Sequence, residues 1–182
     1  MKISNLNKTL LEEIAKIQKA NNHGKTQLEI ERRFLVKTLP EDLKKYPHED
    51  IKQGYLESKD GTSIRLREIN DKYYQTTKVG TGKIRIETEV EISKNLFNSL
   101  WYLTKHRRLA KTRYEIPYQL VTIQLDIYQG NLNGFKTVEV EFDSEEECNK
   151  FTPPDWFEKE VTDDKKYSNK HLATNGLPKN HH

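Results

Sequence analysis

Three stretches of this chain carry a charge at every second position, with mostly apolar residues between. They are Glu29-Ile30-Glu31-Arg32-Arg33-Phe34, Arg85-Ile86-Glu87-Thr88-Glu89-Val90-Glu91-Ile92 and Val138-Glu139-Val140-Glu141-Phe142. Successive side chains of a β-strand point to opposite faces, so each stretch presents ionic groups on one side and apolar groups on the other. The same period sets Arg65 and Arg67 against Ile64 and Leu66, and Lys78, more weakly, against Thr77 and Val79. It sets Lys111 and Arg113 against Tyr114 and Ile116, and Asp126 against Ile123, Leu125 and Ile127.

Together with the turn signals, the pattern predicts eight strands, over 25–36, 51–58, 62–69, 72–79, 84–92, 107–117, 120–128 and 135–142. Reversals are expected at Lys59-Asp60-Gly61, Asn70-Asp71, Gly80-Thr81-Gly82, Pro117 and Gly130 to Gly134. Ser93 can cap a helix running to about Lys105, and Ser144 with Glu147 forms a capping-box signature for a short helix over 145–150. A helical turn at 40–46 and a short helix at 169–174 complete the domain. Ahead of it, Leu6, Leu10, Leu11, Ile14 and Ile17 have helical spacing. The division is therefore a helical extension at 1–24, one domain at 25–174 and a loose tail at 175–182.

One charged strand face is ordinary on a solvated sheet. Eight such strands are harder to place, because two short helices cannot cover one whole side of so large an open sheet. A closed barrel resolves this by turning the ionic rows inward and leaving no free edge. The expected fold is mainly β with short α: an eight-stranded antiparallel β-barrel forming a tunnel, flanked by a few helices.

Composition fits a polar interior, since 34% hydrophobic residues barely exceed 32% charged ones in 182 residues. The formal charge of +3, from 31 basic and 28 acidic side chains, lacks the basic excess of a nonspecific nucleic-acid binder. Cys148 is the single cysteine, which rules out an intrachain disulfide and points to a reducing compartment, with the cytoplasm as the expectation. No apolar run reaches the ~20 residues needed to cross a bilayer as a helix, so a membrane is not an expected partner. The chain carries no P-loop, dinucleotide fingerprint or GxSxG elbow. Its six histidines are scattered, which disfavours zinc. Carboxylates at alternate positions on neighbouring strands suit hard cations such as Mg²⁺ or Mn²⁺, whereas arginine and lysine suit phosphoryl oxygens. Tyr55 is a candidate ligand contact within the chamber.

A series of strings in order adds a specific resemblance: Glu29-Ile-Glu-Arg-Arg-Phe-Leu-Val36, Gln53-Gly-Tyr-Leu56, Ile64-Arg-Leu-Arg67, Lys78 followed by Arg85-x-Glu87-x-Glu89, and Lys111-Thr-Arg113-Tyr114. Leu125-Asp126, Val138-Glu-Val-Glu-Phe142, Val161-Thr-Asp-Asp-Lys165 and Tyr167-x-Asn169-Lys170 continue it. The chain resembles the CYTH family, the triphosphate tunnel metalloenzymes, and within it the small bacterial inorganic triphosphatases. The resemblance implies Mg²⁺- or Mn²⁺-dependent hydrolysis of tripolyphosphate to pyrophosphate and orthophosphate. It makes Glu29, Glu31, Glu139 and Glu141 metal ligands, with Asp126 and Glu87 or Glu89 completing the acidic side. Arg33, Arg65, Arg67, Lys78, Arg85, Lys111 and Arg113 would hold phosphates, and Lys111 is the candidate for orienting the attacking water. Arg33 stands where the family signature has lysine. A nucleoside or thiamine triphosphatase, an adenylate cyclase and a noncatalytic polyphosphate-binding module are the alternative readings, and monomer and homodimer are both open.

Overall fold

The computed structural model describes residues 25–58, 62–80 and 84–179. The extension at 1–24, the turns at 59–61 and 81–83 and the last three residues lie outside the described residues. The eight expected strands are all present: β1 (Lys25–Val36), β2 (His48–Leu56), β3 (Thr62–Ile69), β4 (Lys72–Val79), β5 (Ile84–Glu91), β6 (Arg108–Tyr118), β7 (Val121–Tyr128) and β8 (Lys136–Glu141). A ninth that the pattern did not foretell, β9 (Phe157–Glu160), pairs with the end of β1.

The strand order is β5-β4-β3-β2-β6-β7-β8-β1, all neighbours antiparallel, and a β5–β1 pairing closes the ring. β1 makes the closure by dividing its length. Residues Lys25 to Ile30 pair with β5, and Glu31 to Leu35 pair with β8. At one end, here the upper, β1, β2, β4 and β7 finish; at the lower end they begin.

Local sequence explains the reversals. Asn70 and Asp71 both take positive φ, 49° and 60°, as a two-residue hairpin of the primed type requires. Pro117 is not a turn: it lies inside β6 opposite Thr122, and the chain reverses at Gln119, with φ 54°, and Leu120. Proline is tolerated there at the strand's end, where one missing N–H costs little of the ladder.

The outward faces are covered in patches. Helix α1 (Lys94–Trp101), capped by Ser93 Oγ accepting from Leu96 N, lays Phe97 against Leu66 and Tyr73. It stops short of Lys105 because the chain tightens into a 3-10 turn at Tyr102–Thr104. Gly54, on the outer face of β2, passes directly beneath that turn. A Cβ there would lie 2.6 Å from Thr104 Oγ1, so no larger residue fits without a shift. On the other side, α2 (Glu145–Lys150) with Phe151 and Phe157 covers Ile30, Phe34, Ile123, Leu125, Val138 and Val140. Arg32, an outward charge, is satisfied by Glu160 at 2.7 Å and by the carbonyls of Cys148 and Phe151 at the end of α2.

Inside, the ionic rows do not run the full length. At the upper end Leu35, Leu109 and Tyr128 occupy the interior face and pack with Leu132, Phe135, Val161 and Leu172. Leu172 belongs to α3 (Asn169–Asn175), which Ser168 caps by accepting from His171 N. The last helix therefore closes part of the upper end with an apolar wad.

Candidate active site

Below that wad the interior is a lattice of opposite charges, each held by the register of its strand. Arg33 faces Glu139 across β1 and β8, and Arg113 faces Asp126 across β6 and β7. Arg33 donates to Glu139 Oε1 through Nη2 at 2.6 Å and Nε at 2.9 Å, and to Glu31 Oε1 at 3.0 Å. Arg113 donates to both Asp126 oxygens at 2.7 Å and to Glu139 Oε2 at 2.6 Å. Lys111 donates to Asp126 Oδ2 at 2.5 Å. On the other wall Lys78 binds Glu29 and Glu87, Arg85 binds Glu29 and Glu31, and Arg67 binds Glu89 at 2.6 Å.

Glu31, Arg33, Lys111, Asp126 and Glu139 are all buried. Charges removed from water survive only when paired, and here the pairs share members. The pKa directions follow from that sharing. Burial opposes the charged form of Glu139, yet Arg33, Arg113 and Lys111 outweigh it and hold the carboxyl well below its ordinary value. Burial would lower Arg33, but Glu139 and Glu31 raise it. Arg67 is less well compensated: burial, then neighbouring Arg65, bring it down to about 10. Burial and then Arg113 bring Lys111 down to about 8, against the pull of Asp126. The Nε atoms of Arg65 and Arg67 are buried without a hydrogen-bond partner. This wall holds cations with donors to spare.

A cavity of about 300 Å³ opens at the upper end, bounded by Glu31, Arg33, Tyr55, Arg65, Lys78, Arg85 and Glu139 from the barrel. Seven of the sequence-derived residues thus share one space. Lys111, Arg113 and Asp126 do not line it but stand behind, Arg113 as a partner of Glu139 and all three joined through Asp126, while Arg67 pairs instead with Glu89. Glu87 and Glu89 line a second cavity of about 230 Å³ with Gln27, Tyr74 and Glu91.

The alternation missed the residues that complete the upper cavity, because they come from the uncharged start of β3, the segment after β2, the irregular segment before α3 and the first turn of α3 itself. Ser58, Thr62 and Ser63 border it, as do Thr162 through Lys165, Ser168, Asn169 and Lys170. Asn169 donates to Glu139 at 3.1 Å while accepting from the Tyr128 hydroxyl at 2.7 Å, tying α3 to the ionic lattice. Lys170 reaches Ser58 Oγ at 2.9 Å and the Thr62 carbonyl at 3.4 Å. The trace of the later ones in the sequence was membership of the strings Val161 to Lys165 and Asn169-Lys170; Ser58, Thr62 and Ser63 left none.

Among the described residues no three His, Cys, Asp or Glu side chains converge as a metal cage. The reason is visible: guanidinium and ammonium groups hold the carboxylates apart. The chemistry nonetheless fits a hard cation, since the acidic donors are all oxygens. Glu141 in addition has its carboxyl raised by loss of hydration and by the charges of Glu29 and Glu139, a place where positive charge is favoured.

Residues 27–169 match the family described as the CYTH domain. An inorganic triphosphatase of Nitrosomonas europaea is 43% identical over 149 residues, covering 80% of this chain and 96% of the relative. An inorganic triphosphatase of Acetivibrio thermocellus is 34% identical over 151 residues, covering 81% and 94%. Among solved structures, the inorganic triphosphatase NE1496 superposes with a TM-score of 0.62 at 39% identity, over 82% of this chain and 97% of the other.

Proposed function

Because the chain belongs to the CYTH family, we propose that it is an inorganic triphosphatase, hydrolysing tripolyphosphate to pyrophosphate and orthophosphate with Mg²⁺ or Mn²⁺. The observation that carries the reading is the upper cavity, where Arg33, Arg65, Lys78 and Arg85 surround one space beside Glu31 and Glu139. Phosphoryl transfer asks a protein for charge and position more than for covalent chemistry.

Arg33, Arg65, Lys78 and Arg85 grip the phosphoryl oxygens, with Arg67 and Arg113 adding charge from behind. Glu29, Glu31, Glu139 and Glu141 would hold the metal, supported by Asp126, Glu87 and Glu89. A bound Mg²⁺ or Mn²⁺ supplies positive charge at the phosphoryl oxygens and acidifies water. Loading the site is then an exchange of partners. The basic side chains would leave carboxylates for phosphoryl oxygens, and the carboxylates so released would be free to hold the divalent metal. Lys111 acts as a positioning residue through Asp126, which keeps the water's surroundings polar and fixed. Among the described residues bordering the cavity Tyr55 is the one aromatic, and it is 4% exposed, so no open ring offers itself to a nucleobase or thiazolium. This favours the inorganic substrate over nucleotides. No helix among the described residues is long and apolar enough to cross a membrane, and the cytoplasm is the proposed location.

The test is phosphate release from tripolyphosphate, ATP and thiamine triphosphate with Mg²⁺, with Mn²⁺ and with a chelator. Turnover of tripolyphosphate above the others, abolished by chelation, is expected. Binding without turnover under either metal would sink the proposal.

A further inference from the structure

Gln53 is 1% exposed on the interior face of β2, opposite Arg67 on β3, and belongs to neither the ionic lattice nor the cavity wall. A buried carboxamide needs partners for both its ends. Here one end is committed: Gln53 Nε2 donates to the Tyr55 hydroxyl oxygen at 2.8 Å. The other is not, since Gln53 Oε1 is buried with no hydrogen-bond partner. Tyr55, two residues on and on the same face, does line the cavity.

The direction of that hydrogen bond matters. A phenol oxygen that accepts from an amide keeps its own O–H for another acceptor. No acceptor for that proton is found among the described residues. Arg65, the cross-strand neighbour of Tyr55, likewise has an unpartnered Nε. The Tyr55 hydroxyl thus stands as a donor without an acceptor on the wall of a cavity that it shares with the Arg65 guanidinium. The phenol also stays protonated: burial, partly offset by Arg65, pushes it up to about 12.

We propose that Gln53 is a positioning residue that holds the Tyr55 hydroxyl as a neutral donor to a phosphoryl oxygen of the substrate. The inference rests on the triphosphatase reading and deepens it. A neutral donor adds grip without adding charge to a site already crowded with cations. Gln53 sets the direction of that donor without touching the substrate.

The experiment measures kcat, KM and melting temperature for the full chain and for Tyr55→Phe, Gln53→Met, their double variant and Gln53→Glu, with tripolyphosphate as substrate. Tyr55→Phe is expected to raise KM about tenfold with little change in kcat, as loss of a hydrogen bond to a charged group does. Gln53→Met raises KM about threefold, and the double variant matches Tyr55→Phe alone, because Gln53 has nothing left to position. In Gln53→Glu the new carboxylate accepts the hydrogen bond of the phenol O–H, and KM rises as in Tyr55→Phe. Additive losses in the double variant, or wild-type KM in Gln53→Glu, would overturn the inference. If Gln53→Met does not fold, the Gln53→Glu comparison decides alone. Absence of turnover in the wild-type chain would instead overturn the function on which the inference rests.

Discussion

The two ends of the barrel are built by one rule and carry opposite charge. At the upper end the basic Arg33, Arg65, Lys78, Arg85, Lys165 and Lys170 outnumber the acidic Glu31, Glu139, Asp163 and Asp164 around the larger cavity. At the lower end Glu87, Glu89 and Glu91 line the smaller one with Gln27 and Tyr74. β5 supplies both, Arg85 to the first and the three glutamates to the second, all on one face of eight residues. The fold thus sets only that every second side chain faces inward. Which sign stands at which depth is free to be chosen residue by residue, and it gives the tunnel a polarity that favours an anion at one end.

The strongest challenge to this contrast comes from the carboxylates between the ends. Glu139→Gln with Glu141→Gln is expected to leave a folded protein, checked by circular dichroism, with phosphate release down by about 10² or more, the size of effect seen when transition-state charge stabilisation is removed. Retained activity would break the assignment of a metal to this side. A stability measurement tests the middle of the barrel. Lys111 titrates at about 8 when folded, against its ordinary value of 10.5. Its buried charge therefore costs stability in full below pH 8, and the cost is relieved as pH rises toward 10. The urea midpoint should rise relative to that of Lys111→Met over this window, and a parallel course in both proteins would contradict it. The smallest effects sharpen the comparison of ends directly. Lys170→Ala should raise KM for tripolyphosphate several-fold without lowering the melting temperature much, whereas Glu91→Gln should change KM less than twofold. Equal effects would mean that the two ends do not differ toward the substrate.

Much of this was legible because strand alternation is a short-range rule. Glu29, Glu31 and Arg33, or Lys111 and Arg113, need only their neighbours to declare a face, and closure followed from the shortage of cover. The upper wad was not legible. Leu35 and Leu109 continue the interior rows, but their apolar character makes sense only once α3 and Phe135 are in place. Nor was β9, a four-residue strand of which Phe157 alone is buried, so no alternation marks it. Asn169 acts across 41 residues on Tyr128 and 30 on Glu139, and Lys170 across 112 on Ser58. Separations of that kind leave no periodic trace. The pairing of Glu29, Glu31, Glu87, Glu89, Asp126 and Glu139 with cations was also unreadable, because it depends on register between strands rather than on spacing within one.

One side-chain amide joins the terminal helix to the charges below it. Asn169 spans from the Tyr128 hydroxyl to the same Glu139 oxygen that Arg33 uses. Two donors competing for one acceptor cannot be energetically independent. Whatever draws Arg33 away tightens the helix's grip on its anchor, and by reciprocity a loosened helix strengthens Arg33's claim. Occupancy of the chamber and closure of its roof are thereby written in a single balance.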